Sequence, residues 1–171
     1  MSKGLRLTFD DAWLLGGART PFVDYRGALA EISPIDLGIK AARAAIERTG
    51  VKAADIGHTI AGSMAQASFD AYVTPRHIGL YAGAPIEAPA HLVQRICGTG
   101  IEVIAQAADS VSLGRVDLAL AAGCESMSRN SVLSPLGTSL KAMPEAGRPT
   151  WPASSTGQVV VEAKGAVSVE P

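Results

Sequence analysis

Only two cysteines, Cys97 and Cys124, occur in the 171 residues. That is too few to staple a small secreted fold, and the pair lacks the C-x-x-C spacing of a zinc or dithiol redox site. Charge of neither sign dominates: 15 Lys and Arg stand against 16 Asp and Glu, for a net charge of −1. No basic run interleaved with aromatics appears, so nothing points to a nucleic-acid or polyanion partner. No apolar stretch reaches the length of a membrane span, and the first residues, Met1-Ser2-Lys3-Gly4-Leu5-Arg6, carry no apolar signal region. Gly98 and Gly100 are not followed by a third glycine at the dinucleotide-fingerprint position, where Val103 stands, and there is no Gly-Lys-Ser/Thr phosphate loop. The three histidines are not spaced with carboxylates as a metal set. These absences lead to the expectation of a soluble, cytoplasmic protein in a reducing compartment, with no bound metal.

What is present is small and apolar. Hydrophobic residues make up 47% of the chain, aromatics only 5%, and there are 18 glycines; this composition favours helices packed closely on a sheet. A chain of this length suits one ordinary domain. Residues 12–18 read as a first strand, stopped by Thr20-Pro21. Ser33-Pro34-Ile35-Asp36 is a helix start, with Ser as N-cap, Pro at the first helical position and an acid in the first turn; Gly50 marks the stop. Within that helix Ile35, Ile39, Ala42 and Ile46 are expected to face the core, with Arg43 and Glu47 paired outside. Strands are expected over 56–64, 90–96 and 116–123, with a short helix within 75–82. A second long helix is expected to begin at the Gly98-Thr99-Gly100 turn and to turn Ile101, Ile104, Ala108 and Val111 inward. Alternation at this spacing predicts a β-α-β-α-β-α-β layout with a mostly parallel sheet. Beyond residue 130 the chain is rich in Pro, Ser, Gly and Thr and reads as loop, with one short strand over 158–163. The chain is thus divided into a 1–130 α/β domain and a loop-rich 131–171 tail, expected to lack fixed order.

Cys97 is the residue on which chemistry converges. A buried strand ending there, a tight glycine turn and an immediate helix place one thiol at a helix N-terminus. Unpaired N–H groups and the positive end of the helix dipole favour a thiolate at such a place, and a thiolate is a usable nucleophile. Free cysteines are also common inert packing residues. Cys124, closing the fourth strand, reads as such a packed residue, although strand ends of an open parallel sheet are where ligands bind. His91 lies six residues upstream of Cys97, about 20 Å along an extended strand, too far to serve as its base. His58 and His77 read as surface or core residues.

Four segments, in order, carry a resemblance to a known family: Ala18-Arg19-Thr20-Pro21-Phe22, Pro75-Arg76-His77-Ile78-Gly79-Leu80-Tyr81-Ala82-Gly83, Arg95-Ile96-Cys97-Gly98-Thr99-Gly100 and Gly123-Cys124-Glu125-Ser126-Met127-Ser128. Over about residues 12–130 the chain resembles the N-terminal half of a thiolase, an acetyl-CoA acyltransferase. The resemblance implies a thiolase-like α/β fold of which the C-terminal half is absent. It implies that Cys97 is the catalytic nucleophile, which attacks an acyl-CoA thioester and holds the acyl group for Claisen condensation, or for the reverse thiolytic cleavage of a 3-ketoacyl-CoA. Coenzyme A thioesters are then the substrates, with no permanently bound cofactor and no metal. Homodimers or homotetramers are implied through residues 90–96, whose strand pairs across a two-fold axis in the family.

The departures shape the expectation as much as the match. The family's activating His, its Asn-associated oxyanion site and its second catalytic Cys belong to the C-terminal half and have no counterpart here; Cys124 is not that second Cys. The isolated chain is therefore expected to be inactive as a full thiolase. Two further readings stand beside the acyltransferase: a decarboxylating condensing enzyme of the ketoacyl-synthase type, and a non-catalytic fragment that associates with full-length homologues.

Overall fold

The computed structural model describes residues 6–65, 70–129 and 156–164, the last as backbone alone. In chain order the elements are β1 (Ala12–Arg19), α1 (Pro34–Thr49), β2 (His58–Gly62), α2 (Thr74–Ala82), β3 (Ala90–Val93), α3 (Thr99–Ser112), β4 (Leu118–Glu125) and β5 (Thr156–Lys164). They form one five-stranded sheet in the order β1-β5-β4-β2-β3. The β4-β2 and β2-β3 pairs are parallel, whereas β5 runs antiparallel to both β1 and β4. The short strand expected over 158–163 is present as β5, but it lies inside the sheet between β1 and β4 and not in a separate tail; residues 130–155 lie outside the described residues.

Side chains alternate along the strands to build two cores. Ala61 of β2 and Leu118, Leu120, Ala122 and Cys124 of β4 join Ala41, Ala42 and Ala45 of α1 and Ile78 of α2 on one side. Ile60, Ala119 and Ala121 meet Val93 of β3 and Val103, Ala107 and Val111 of α3 on the other. Small residues set the spacing. A Cβ on Gly38 would come 2.5 Å from Ile78 Cδ1, and one on Gly79 would come 2.5 Å from Thr59 Oγ1, so these glycines let α1 and α2 approach each other and β2.

The cap of α1 is as the sequence indicates: Ser33 Oγ accepts from the Asp36 N–H at 3.0 Å, and Gly50 closes the helix with φ 70°. The buried faces differ from expectation. In α1 Ala42 is buried as expected, but the other buried positions are Pro34, Leu37, Gly38, Ala41 and Ala45, with Ile35, Ile39 and Ile46 only partly covered, because the sheet contact is close enough to need small residues. In α3, Ala108 and Val111 turn inward as expected and Ile104 packs partly buried, but Ile101 is 76% exposed and Val103, Ala107 and Ser110 join the buried face. Arg43, expected to pair with Glu47, donates from Nε to the Tyr81 carbonyl at 2.7 Å and so ties α1 to α2. β3 is shorter than expected: the ladder ends at Val93, and residues 94–98 form a separate turn.

Candidate active site

β2, β3 and β4 run the same way, so their carboxyl ends gather at one edge of the sheet. A cleft of about 310 Å³ opens there, lined by Gly62, Ser63 and Met64 after β2, by Ile96, Cys97, Thr99 and Gly100 at the elbow before α3, and by Gly123, Cys124 and Glu125 at the end of β4. This is where an open parallel sheet offers a ligand site.

The elbow is held in an uncommon backbone state. Ile96 has φ 50°, in the left-handed region that a β-branched residue avoids at a cost of about 1–2 kcal/mol. Backbone bonds tighten the turn, with the Gly98 N–H donating to the Arg95 carbonyl at 3.0 Å and the Thr99 N–H to the Ile96 carbonyl at 3.2 Å. The Thr99 hydroxyl adds two more: it accepts from the Arg95 N–H at 2.8 Å and donates to the Ile96 carbonyl at 2.7 Å. Cys97 emerges exposed. Had the β3 alternation continued, residue 97 would share the face of Val93 and sink against α3.

α3 begins two residues after Cys97 and lacks a side-chain cap, in contrast to α1 with its Ser33. Its first-turn N–H groups at Gly100 and Ile101 therefore keep the unpaired character of a helix start. A Cβ on Gly100 would meet nothing within 4 Å, so the approach to these groups is open. Gly62 matters for the opposite reason. A Cβ there would collide with the Val93 carbonyl and the Thr99 methyl, so only glycine lets β2 end directly beneath the elbow.

Cys124 lies in the same cleft wall but belongs to the α1 and α2 side. It is 3% exposed, its Sγ sits 3.9 Å from the Gly62 carbonyl, and a Cβ on Gly38 would stand 3.5 Å from its own Cβ. Burial, helped by the negative charge of Glu125, pushes its thiol up to about 12. At neutral pH this sulfur stays protonated and packs.

Glu125 has a role that residue type alone did not disclose. Its Oε2 accepts from the Met64 N–H at 2.7 Å, the Ala65 N–H at 3.3 Å and the Ser63 hydroxyl at 3.2 Å. This fastens the turn after β2 to the end of β4 and builds one wall of the cleft. The other oxygen, Oε1, is buried without a hydrogen-bond partner among the described residues. The available signal was an acid following a strand-ending cysteine, opposite the small residues Gly62 and Ser63; their contact spans 62 positions of sequence.

No histidine lines the cleft among the described residues. His58 and His91 instead meet each other at 3.0 Å on the α3 side of the sheet, against Ser110 and Gln106. Gln106 Nε2 donates to Glu102 at 3.0 Å, so Gln106 Oε1 accepts from His91 Nε2–H at 2.7 Å; when both rings are neutral, His91 Nδ1 then accepts from His58 Nε2–H. Glu102 in turn pairs with Arg95. Desolvation, then the charges of His91 and Arg115, lowers the pKa of His58. His77 pairs with Asp70 at 3.3 Å, away from the elbow's lining residues. Arg76 donates to the carbonyls of Ala88 and Ile86 and holds the loop that leads into β3. Among the described residues no group of three or more His, Cys, Asp or Glu could hold a metal, and no helix is long and apolar enough to cross a membrane.

A cysteine at a strand-to-helix elbow, in a cleft at the carboxyl ends of parallel strands, marks a class of α/β proteins with a candidate nucleophile. The model of the thiolase N-terminal domain family matches residues 13–148. The chain belongs to the thiolase family. It is 35% identical over 122 residues to the beta-ketothiolase BktB of Cupriavidus necator, covering 71% of this chain and 31% of that protein. It is 40% identical over 119 residues to the beta-ketoadipyl-CoA thiolase of Acinetobacter baylyi, covering 69% and 30%. The human mitochondrial 3-ketoacyl-CoA thiolase structure superposes with a TM-score of 0.69 at 32% identity, over 77% of this chain and 34% of that one; the same enzyme has also been solved in complex with CoA, with a TM-score of 0.68. The chain thus spans about three-tenths of the length of the relatives it matches.

Proposed function

We propose that the chain carries the acyl-accepting half of thiolase chemistry, with Cys97 as the nucleophile and an acyl-CoA thioester as substrate. The observation that carries this is the exposed thiol at the uncapped start of α3, inside the cleft, in a member of the thiolase family. The Cys97 thiolate attacks the thioester carbonyl; a carbon–sulfur bond to Cys97 forms, the bond to the CoA sulfur breaks, and CoA leaves as its thiolate. First-turn N–H groups at Gly100 and Ile101 are suited to the oxyanion that develops on the acyl oxygen.

Condensation or thiolysis then needs a base for the second acyl-CoA or the incoming thiol, and the described cleft lining offers no histidine for it. The chain on its own is therefore proposed to capture one acyl group without turning over. Edge strand β3 is the proposed place for a second subunit, since its outer edge is unpaired in the described sheet.

Incubation with acetyl-CoA, followed by chromatography of the released CoA, tests the reading. Up to about one CoA per chain is expected, abolished in Cys97→Ser. CoA release that is equal in that variant, or absent from both proteins, contradicts it. Turnover of a malonyl thioester with loss of CO2 would favour the decarboxylating alternative instead.

A further inference from the structure

We propose that Thr99 is a positioning residue for Cys97: its hydroxyl holds Ile96 in the left-handed conformation that lifts the thiol out of the sheet and into the cleft. The inference rests on the acyl-capture reading for its purpose, and on elbow geometry for its substance.

An isoleucine at φ 50° persists only where its neighbours over-determine it. Among the described residues, the Thr99 hydroxyl brackets the strained residue, accepting from the N–H of Arg95 before it and donating to the carbonyl of Ile96 itself. It can do both because a hydroxyl donates once and still accepts. Its freedom to do anything else is removed by burial: Thr99 is 5% exposed, with its methyl seated in the space that Gly62 leaves empty. Side-chain shape and hydroxyl therefore have separable tasks. The methyl sets the elbow on the end of β2, and the hydroxyl sets the torsion of Ile96.

That separation makes the proposal testable on the full chain. Thr99→Val keeps the shape and deletes the hydroxyl; Thr99→Ser keeps the hydroxyl and deletes the methyl. Ile96→Gly removes the need for a clamp, since glycine enters the left-handed region freely. The readout is the rate at which iodoacetamide alkylates Cys97, located by peptide mass mapping, with thermal unfolding recorded in parallel.

T99V is expected to slow alkylation about tenfold, the factor that accompanies about 1.4 kcal/mol. T99S is expected to stay within about twofold of the parent, and the I96G/T99V double variant to recover most of the lost rate. A folded T99V that reacts like the parent overturns the proposal. So does a slow T99V that I96G fails to rescue, because the loss would then come from packing and not from the strained residue. Should T99V fail to fold, a folded and reactive double variant supports the clamp; a slow or unfolded one assigns Thr99 a purely architectural part and overturns it. Failure of the parent to release CoA from acetyl-CoA would remove the acyl-capture reading, yet leave these alkylation ratios standing on their own.

Discussion

Cys97, on the turn that follows β3, and Cys124, near the carboxyl end of β4, both line one cleft. Cys97 sits on a turn outside the ladder, exposed, at the start of a helix without a side-chain cap; Cys124 sits inside the ladder of β4, 3% exposed and pressed toward α1. The same atom in the same region meets opposite surroundings, exposed in one case and buried in the other, because of two features. One is which face of the sheet the register assigns, and the other is whether a positive φ breaks that register. Two thiols in one cleft thus differ in desolvation and backbone direction, properties that govern how readily a thiol ionises and reacts.

Experiments on the two cysteines give the largest contrast. Cys97→Ser is expected to abolish acetyl retention, whereas Cys124→Ala keeps it within about twofold and destabilises the fold by about 1 kcal/mol, measured by chemical unfolding. Equal losses in the two variants would erase the distinction.

Gly62→Ala sharpens the comparison from the backbone side. Its Cβ would strike the Val93 carbonyl and the Thr99 methyl, so a loss of about 3 kcal/mol in unfolding free energy is expected, together with a slower Cys97. Retained stability would show that the end of β2 has room to move.

Glu125→Ala leaves the Met64 and Ala65 N–H groups without their carboxylate, and a cost of about 2 kcal/mol is expected. Hydrogen exchange at these two amides should rise while that of α1 stays unchanged, a difference readable by mass spectrometry.

The smallest effect concerns pH. His58 binds its proton less readily in the folded chain because of burial and the charges of His91 and Arg115. The unfolded chain therefore takes up more protons as pH drops below the ordinary histidine value of 6.5. The contribution of His58 is complete above that value and is lost as pH falls through the lowered folded one. Melting temperature should decline over that range, and less so in His58→Gln.

Much of the scaffold could be read from local residues, because caps and strands are local devices. Ser33, Pro34 and Asp36 fixed the start of α1, and the apolar run of β4 marked a strand covered on both faces. The elbow was visible in Cys97-Gly98-Thr99-Gly100, but its strain was not. Residue patterns predict extended backbone through Ile96, whereas β3 ends at Val93 and the Arg95 N–H is taken by the Thr99 hydroxyl. The inward faces were legible in part: Ala42, Ala108 and Val111 are buried as expected, whereas in α1 the close contact is made by Gly38, Ala41 and Ala45 and not by the isoleucines, and in α3 Ile101 turns outward. The pairs Glu125 with residues 63–65 and His58 with His91 join distant positions, and only the strand order brings them together.

The most direct test sets both sulfurs against one substrate in one molecule. After the native chain is exposed to acetyl-CoA, quenched in acid and digested, the acetyl group should be found on the peptide carrying Cys97, with the Cys124 peptide unmodified until the chain is unfolded. Acetyl on Cys124 in the folded protein, or on neither cysteine, would contradict the assignment.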